Sequence, residues 1–248
     1  RRDDSAGKWN ELSKEITGKF YRPLAFTADN SELFAFFSAK GEPTTLVRES
    51  LATGKREILA QDKLNSLGIL WNEKDLSPFG VVTNIGIPRV RYLDENAPNA
   101  KLHKTLSQQF PGSMVNFESY TDDGNKLLFK VSSDRDPGAY YLYDRRAGTA
   151  DLLFAVSADI DPDQMSEQRP IAFKARDGLE LFGYLTIPKG ANPEKQKMPM
   201  VVMPHGGPFG PSDSWYFDSD AQFLASRGYA VLQVNFRGSG GRGESFEE

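Results

Sequence analysis

Between residues 20 and 157 the chain alternates short apolar and aromatic stretches with Asp, Asn and Gly turns, a texture that predicts β-strands. Residues 33–38, 45–49 and 56–59 form one set of strands, punctuated by Gly41-Glu42-Pro43 and Thr53-Gly54-Lys55. Residues 79–84, 89–93 and 101–106 form a second set, and 126–132, 139–144 and 150–156 a third. The turn Thr27-Ala28-Asp29-Asn30 before the first set corresponds to Thr121-Asp122-Asp123-Gly124 before the third, 94 residues later (121 against 27), or two steps of 47. Such a step suits a four-stranded propeller blade of roughly 40 to 50 residues. Three blades fall short of the roughly 4 to 8 that close a propeller. The expectation for residues 1–160 is therefore a partial β-propeller, or an open array of sheets. Phe34, Phe36, Phe37, Tyr140, Tyr141 and Tyr143 are expected to fill the spaces between blades.

After Asp159-Ile160-Asp161-Pro162 the pattern changes. Residues 171–175 and 181–187 flank Arg176-Asp177-Gly178, whose Asp-Gly pair marks a hairpin. Beyond a Pro/Gly/Lys-rich loop, the continuous apolar run 200–203 predicts a strand buried on both faces. Residues 218–227 carry apolar positions at Ala221, Phe223, Leu224 and Ala225 ahead of Gly228, and predict a helix; 229–234 predict a further buried strand. Strand, helix, strand is the unit of a parallel sheet.

With 39% hydrophobic, 12% aromatic and 26% charged residues, most of the chain should fold. The net charge of −4 and the scattered cations give no footprint for nucleic acid or anionic lipid. No apolar run approaches the roughly 18 residues that span a bilayer, so no membrane partner is expected. The opening RRDDSAGKWNE is too polar for a signal-peptide core, and the chain begins without Met. Without cysteine there is no disulfide, thiolate nucleophile or Cys-based zinc site; such a chain suits cytoplasm and periplasm equally. No cofactor or metal is expected.

Immediately after the run 200–203 stands Pro204-His205-Gly206-Gly207-Pro208. Adjacent glycines at the end of a buried strand let the backbone turn sharply and leave N–H groups open to a ligand, with no Cβ in the way. In acyl-transfer enzymes that is where the oxyanion of the tetrahedral intermediate sits, and an HGGG-type motif occupies this loop in lipases and esterases. Read alone, the motif is equally a tight loop after a strand.

Three segments in order, RPIAFKARDGLELFGYLTIPKG, VVMPHGGP and FLASRGYAVLQVNFRGSGGRG, cover residues 169–243. On them the chain resembles the prolyl oligopeptidase family of serine peptidases, within it the acylaminoacyl-peptidase-like branch. The resemblance implies a propeller capping an α/β-hydrolase peptidase domain, whose start would occupy residues 161–248. It implies that Gly207 donates its backbone N–H to the oxyanion, with His205, Gly206 and Pro208 shaping the loop and His205 not acting as a base. Two features depart from the family pattern: Arg237-Gly238-Ser239-Gly240-Gly241 is followed by Arg242 instead of an aromatic residue, and no G-x-S-x-G occurs, since Ser239 has Arg237 two places before it. The nucleophile, acid and base of a triad are expected beyond Glu248, so the chain reads as an inactive fragment of a peptidase acting on short peptides.

GSGGRG lacks Walker spacing and reads as a structural loop. His103 reads as a surface or packing residue, and Asp122-Asp123-Gly124-Asn125 as an Asp-rich turn instead of a calcium loop. An esterase on the same fold and a non-enzymatic propeller binding module are the alternative functions; self-association is compatible with the sequence.

Overall fold

The computed structural model describes residues 6–64, 67–72, 76–207 and 209–247. A short helix α1 (Lys14–Thr17) precedes a meander of four antiparallel strands, β1 (Phe20–Phe26), β2 (Glu32–Ser38), β3 (Thr45–Ser50) and β4 (Arg56–Ala60). A three-stranded sheet follows, β5 (Leu67–Trp71), β6 (Pro78–Thr83) and β7 (Val90–Tyr92), then helix α2 (Pro98–Gln109). The third sheet is again a four-stranded meander, β8 (Met114–Tyr120), β9 (Lys126–Ser132), β10 (Ala139–Asp144) and β11 (Thr149–Ala155). All pairings in these sheets are antiparallel, and none of them closes into a barrel among the described residues.

The repeat is visible in the fold. The three sheets begin at Phe20, Leu67 and Met114, 47 residues apart each time (20, 67, 114). The two related turns also agree bond for bond. Thr27 and Thr121 each donate a side-chain hydroxyl to a carboxylate two residues on, Asp29 at 2.7 Å and Asp123 at 2.6 Å. Each hydroxyl in turn accepts the N–H that opens the next strand, from Glu32 at 3.1 Å and Lys126 at 3.0 Å. The fourth turn residue has positive φ in both, +57° at Asn30 and +69° at Gly124, a conformation open chiefly to Gly and Asn.

Sequence and structure differ at three places here. Each sheet opens on a strand the periodicity did not mark: β1, β5 and β8 interrupt their alternation with Pro23, Gly68 or Asn116, and line a cleft of about 770 Å³. Residues 101–106, expected as a strand, are the middle of α2. Its buried positions Asn99, Ala100, His103 and Leu106 recur at helical spacing, and Pro98 at its first turn suits a helix start. The run at 200–203, expected to be buried on both faces, is an edge strand with Met200 and Val202 each 54% exposed.

Beyond a 3₁₀ turn (Pro162–Gln164) lies the fourth sheet: β12 (Gln168–Lys174), β13 (Glu180–Thr186), β14 (Met200–Val202), helix α3 (Ser219–Ser226) and β15 (Ala230–Asn235), with a last turn of helix α4 (Glu244–Glu247). The sheet order is β12-β13-β15-β14, and β14 pairs β15 in parallel across the intervening α3. Asp218 caps α3 by accepting the Ala221 N–H at 2.9 Å, and Gly228 ends the turn at φ +92°.

Apolar packing joins neighbouring sheets. Leu46 and Ala60 of the first meet Leu67 and Val81 of the second; Leu70, Phe79 and Val82 of the second meet Ala100 of α2 and Met114 and Phe117 of the third. The fourth sheet is attached differently, through buried polar groups. Asp134 accepts the Gln168 N–H at 2.7 Å, the Gln222 amide donates to the Asp134 carbonyl at 3.1 Å, and the Tyr184 hydroxyl meets the Gly86 N–H at 3.1 Å. Burial pushes the Tyr184 phenol up to about 12, so it stays neutral.

Candidate functional site: the His205–Gly207 loop

β14 ends at Val202, and the chain leaves the sheet edge into Pro204-His205-Gly206-Gly207; Pro208 lies outside the described residues. The His205 ring stacks on Phe236, centroids 4.5 Å apart and planes inclined by 17°. Its Nδ1 lies 2.7 Å from the carbonyl oxygen of Gly206 and its Nε2 2.6 Å from Ser239 Oγ. A carbonyl only accepts, so Nδ1 carries the proton and Nε2 accepts from the serine hydroxyl.

That first bond orients the next peptide. In a planar trans peptide the C=O and N–H point in opposite directions. Holding the Gly206 oxygen against the imidazole therefore aims the Gly207 N–H away from it. Gly206 and Gly207 are exposed, and the Gly207 N–H has no hydrogen-bond partner among the described residues. A Cβ at Gly207 would meet only the Phe209 nitrogen, at 3.6 Å, and φ there is not positive.

Two further contacts brace the loop. Gly210 N–H donates to the Gly238 carbonyl and Gly240 N–H to the Pro211 carbonyl, both at 3.1 Å, and the backbones approach so closely that a Cβ at Gly240 would overlap the Gly210 oxygen. Downstream, the Asn235 side chain receives the Asp213 N–H at 2.7 Å and donates to the Asp213 carbonyl at 2.9 Å. The Asp213 carboxyl is raised above the usual range, chiefly by burial; its Oδ2 is buried without a partner among the described residues.

A serine, a histidine and an acid have thus been brought together, yet not as a nucleophilic triad. Ser239 is fully buried, and the nitrogen opposite the serine meets a backbone carbonyl instead of a carboxylate. The trio holds the loop. Sequence reading placed His205, Gly206 and Gly207 on one loop, and they are; it missed Ser239, Asp213, Asn235 and Phe236. Only the RGSGG run hinted at a tight loop, and its contact with His205, 34 residues away, left no trace in spacing. His103 is not part of this loop: it lies on α2, packed against Phe79 and Tyr92 of the second sheet and Phe117 of the third. Among the described residues no three His, Asp or Glu side chains cluster in a way that holds a metal.

Comparison with known proteins bears on the same region. The sequence profile of the prolyl oligopeptidase family matches residues 215–248, and dipeptidyl aminopeptidase BIII of Pseudoxanthomonas mexicana is 32% identical over 233 residues, 90% of this chain. Residues 215–248 thus carry the signature of the prolyl oligopeptidase family. The chain spans about a third of that relative's length, 33%. Among solved structures, a puromycin-hydrolysing peptidase of Mycobacterium tuberculosis superposes with a TM-score of 0.60 at 20% identity, over 93% of this chain and 36% of that one. The acylaminoacyl peptidase of Pyrococcus horikoshii gives 0.56 at 21%, over 98% of this chain and 36% of that one. At those identities the likeness is one of fold, and it extends over more than nine tenths of this chain.

Proposed function

We propose that this chain supplies the oxyanion-binding loop of a serine peptidase that cleaves short peptides by acyl-enzyme chemistry. In that reading residues 1–160 are about three propeller blades, and 161–248 are the start of an α/β-hydrolase domain. The observation that carries it is the Gly206–Gly207 peptide, whose carbonyl is held by His205 and whose N–H is left unpartnered and exposed. A donor fixed before the substrate arrives costs no reorganisation when the carbonyl oxygen becomes an oxyanion. The attacking serine, its general base and the acidic orienter lie outside these 248 residues, which contain no G-x-S-x-G.

Two measurements test this. The 248-residue chain should neither turn over aminoacyl anilides nor be labelled at any serine by a serine-directed phosphonate; labelling of Ser239 with turnover overturns the reading. In a protein carrying the whole hydrolase domain, Gly207→Pro removes the N–H and should lower kcat about 100-fold or more with folding retained. Gly207→Ala keeps the donor and adds only an ordinary contact with the Phe209 nitrogen at 3.6 Å, so it should lose far less. Wild-type turnover by the Pro variant contradicts the role.

A further inference from the structure

The loop that carries Gly207 continues into Phe209 and Gly210, and these two residues form one wall of a cleft of about 890 Å³. The opposite wall is the first sheet. Phe20 and Arg22 of β1 lie two residues apart and so on one face of the strand, and their register partners Ser38 and Phe36 of β2 share that face. Leu67, at the start of the second sheet, closes one side. The size is within the roughly 300 to 1,000 Å³ of small-ligand sites.

The charges in this cleft are not equivalent. Glu42 is spent on the backbone N–H groups of Ala39 at 2.9 Å and Lys40 at 2.8 Å. Glu244 pairs with Lys19 at 3.0 Å, and Glu247 accepts the Gly241 N–H at 3.1 Å. Arg22 is the exception: exposed, it has neither a hydrogen bond nor an ion pair among the described residues. It also lines the second large cleft, of about 770 Å³, that runs between the opening strands of the three sheets. A guanidinium so placed offers a fork of N–H donors matched to a carboxylate, beside apolar surface from Phe20, Phe36, Leu67 and Phe209.

We infer that this cleft is a subsite for the carboxylate of a short peptide, with Arg22 pairing the carboxylate and the aromatic walls covering an apolar side chain. The inference rests on the peptidase reading for its ligand class, and on the cleft alone for its chemistry. The carboxylate can be the peptide's C-terminus or an acidic side chain, and the probes separate them.

Binding to the 248-residue chain is measured by calorimetry with three probes: alanyl-alanyl-phenylalanine as the free acid, the same peptide as its C-terminal amide, and alanyl-glutamyl-phenylalanine amide. At least one carboxylate-bearing probe should bind on the order of tenfold or more tighter than the neutral amide, and the preference should weaken with salt. Arg22→Gln should abolish that preference and Arg22→Lys should restore part of it, since a lysine keeps the charge without the fork. Equal binding of all three probes, an unchanged preference in Arg22→Gln, or no binding of either carboxylate probe overturns the inference. None of these readouts involves turnover, so loss of the Gly207 assignment leaves this result standing, and the reverse also holds.

Discussion

His103 is enclosed by Phe79, Phe117 and Tyr92, with ring centroids 5.1 to 6.0 Å away. Its Nε2 reaches the Val115 carbonyl at 2.9 Å, and its Nδ1 meets the Tyr92 hydroxyl at 2.9 Å. With Nε2–H donating to a carbonyl, Nδ1 accepts from the phenol and the ring is neutral. Burial lowers its pKa below the ordinary 6.5, outweighing the opposite pull of the Val115 carbonyl. Above that value the ring is neutral in both states and contributes nothing to the pH dependence. Below it the unfolded chain takes up a proton that the folded chain refuses, so stability falls as pH drops from about 6.5 through the lowered folded value. The melting temperature should decline between pH 7 and pH 5, and the decline should be shallower in His103→Gln, whatever that variant's stability at pH 7. A slope unchanged by the substitution contradicts the account. The sequence reading of His103 as a packing residue is met, but its burial depends on a helix that the alternating pattern concealed.

At the scale of elements, the close approach of two loops holds the candidate site. Gly240 lies against Gly210 with no room for a side chain, and the paired bonds to Gly238 and Pro211 stitch the same two stretches together. Gly240→Ala has to part them, which moves Phe209 and Gly210 and slackens the loop from His205 onward. In a protein carrying a whole hydrolase domain, as proposed above, the expected outcome is a loss of kcat larger than that of Gly207→Ala, with little change in melting temperature; the reverse order refutes the brace. What was legible here followed from local chemistry. The helix stop at Gly228 and the two Thr-x-Asp turns are read correctly because each makes its bonds within a few residues. What was hidden depends on partners far along the chain. Residues 101–106 fit a period of two as well as a helix until Ala100 and Leu106 are seen in the core, and the run 200–203 looks doubly buried although β14 pairs on one side only.

Across the whole molecule the four sheets differ in how their strands are threaded. The first three are meanders, each built from one continuous stretch with every strand paired to its neighbour in sequence. The fourth pairs Phe182 with Asn235 and inserts α3 between its parallel strands. Closing a short turn costs little chain entropy, whereas bringing β13 to β15 fixes a loop of some fifty residues before any bond rewards it. The order of assembly is thereby written into the threading. Refolding followed by pulsed amide exchange should show protection around Val47 and Phe129 ahead of protection around Tyr184 and Val231; simultaneous protection contradicts this order. Because β14 pairs only with β15, the Gly206–Gly207 peptide becomes fixed late in that order, so that under the proposed oxyanion role a nascent or partly unfolded chain would be poorly equipped to stabilise a reacting peptide bond.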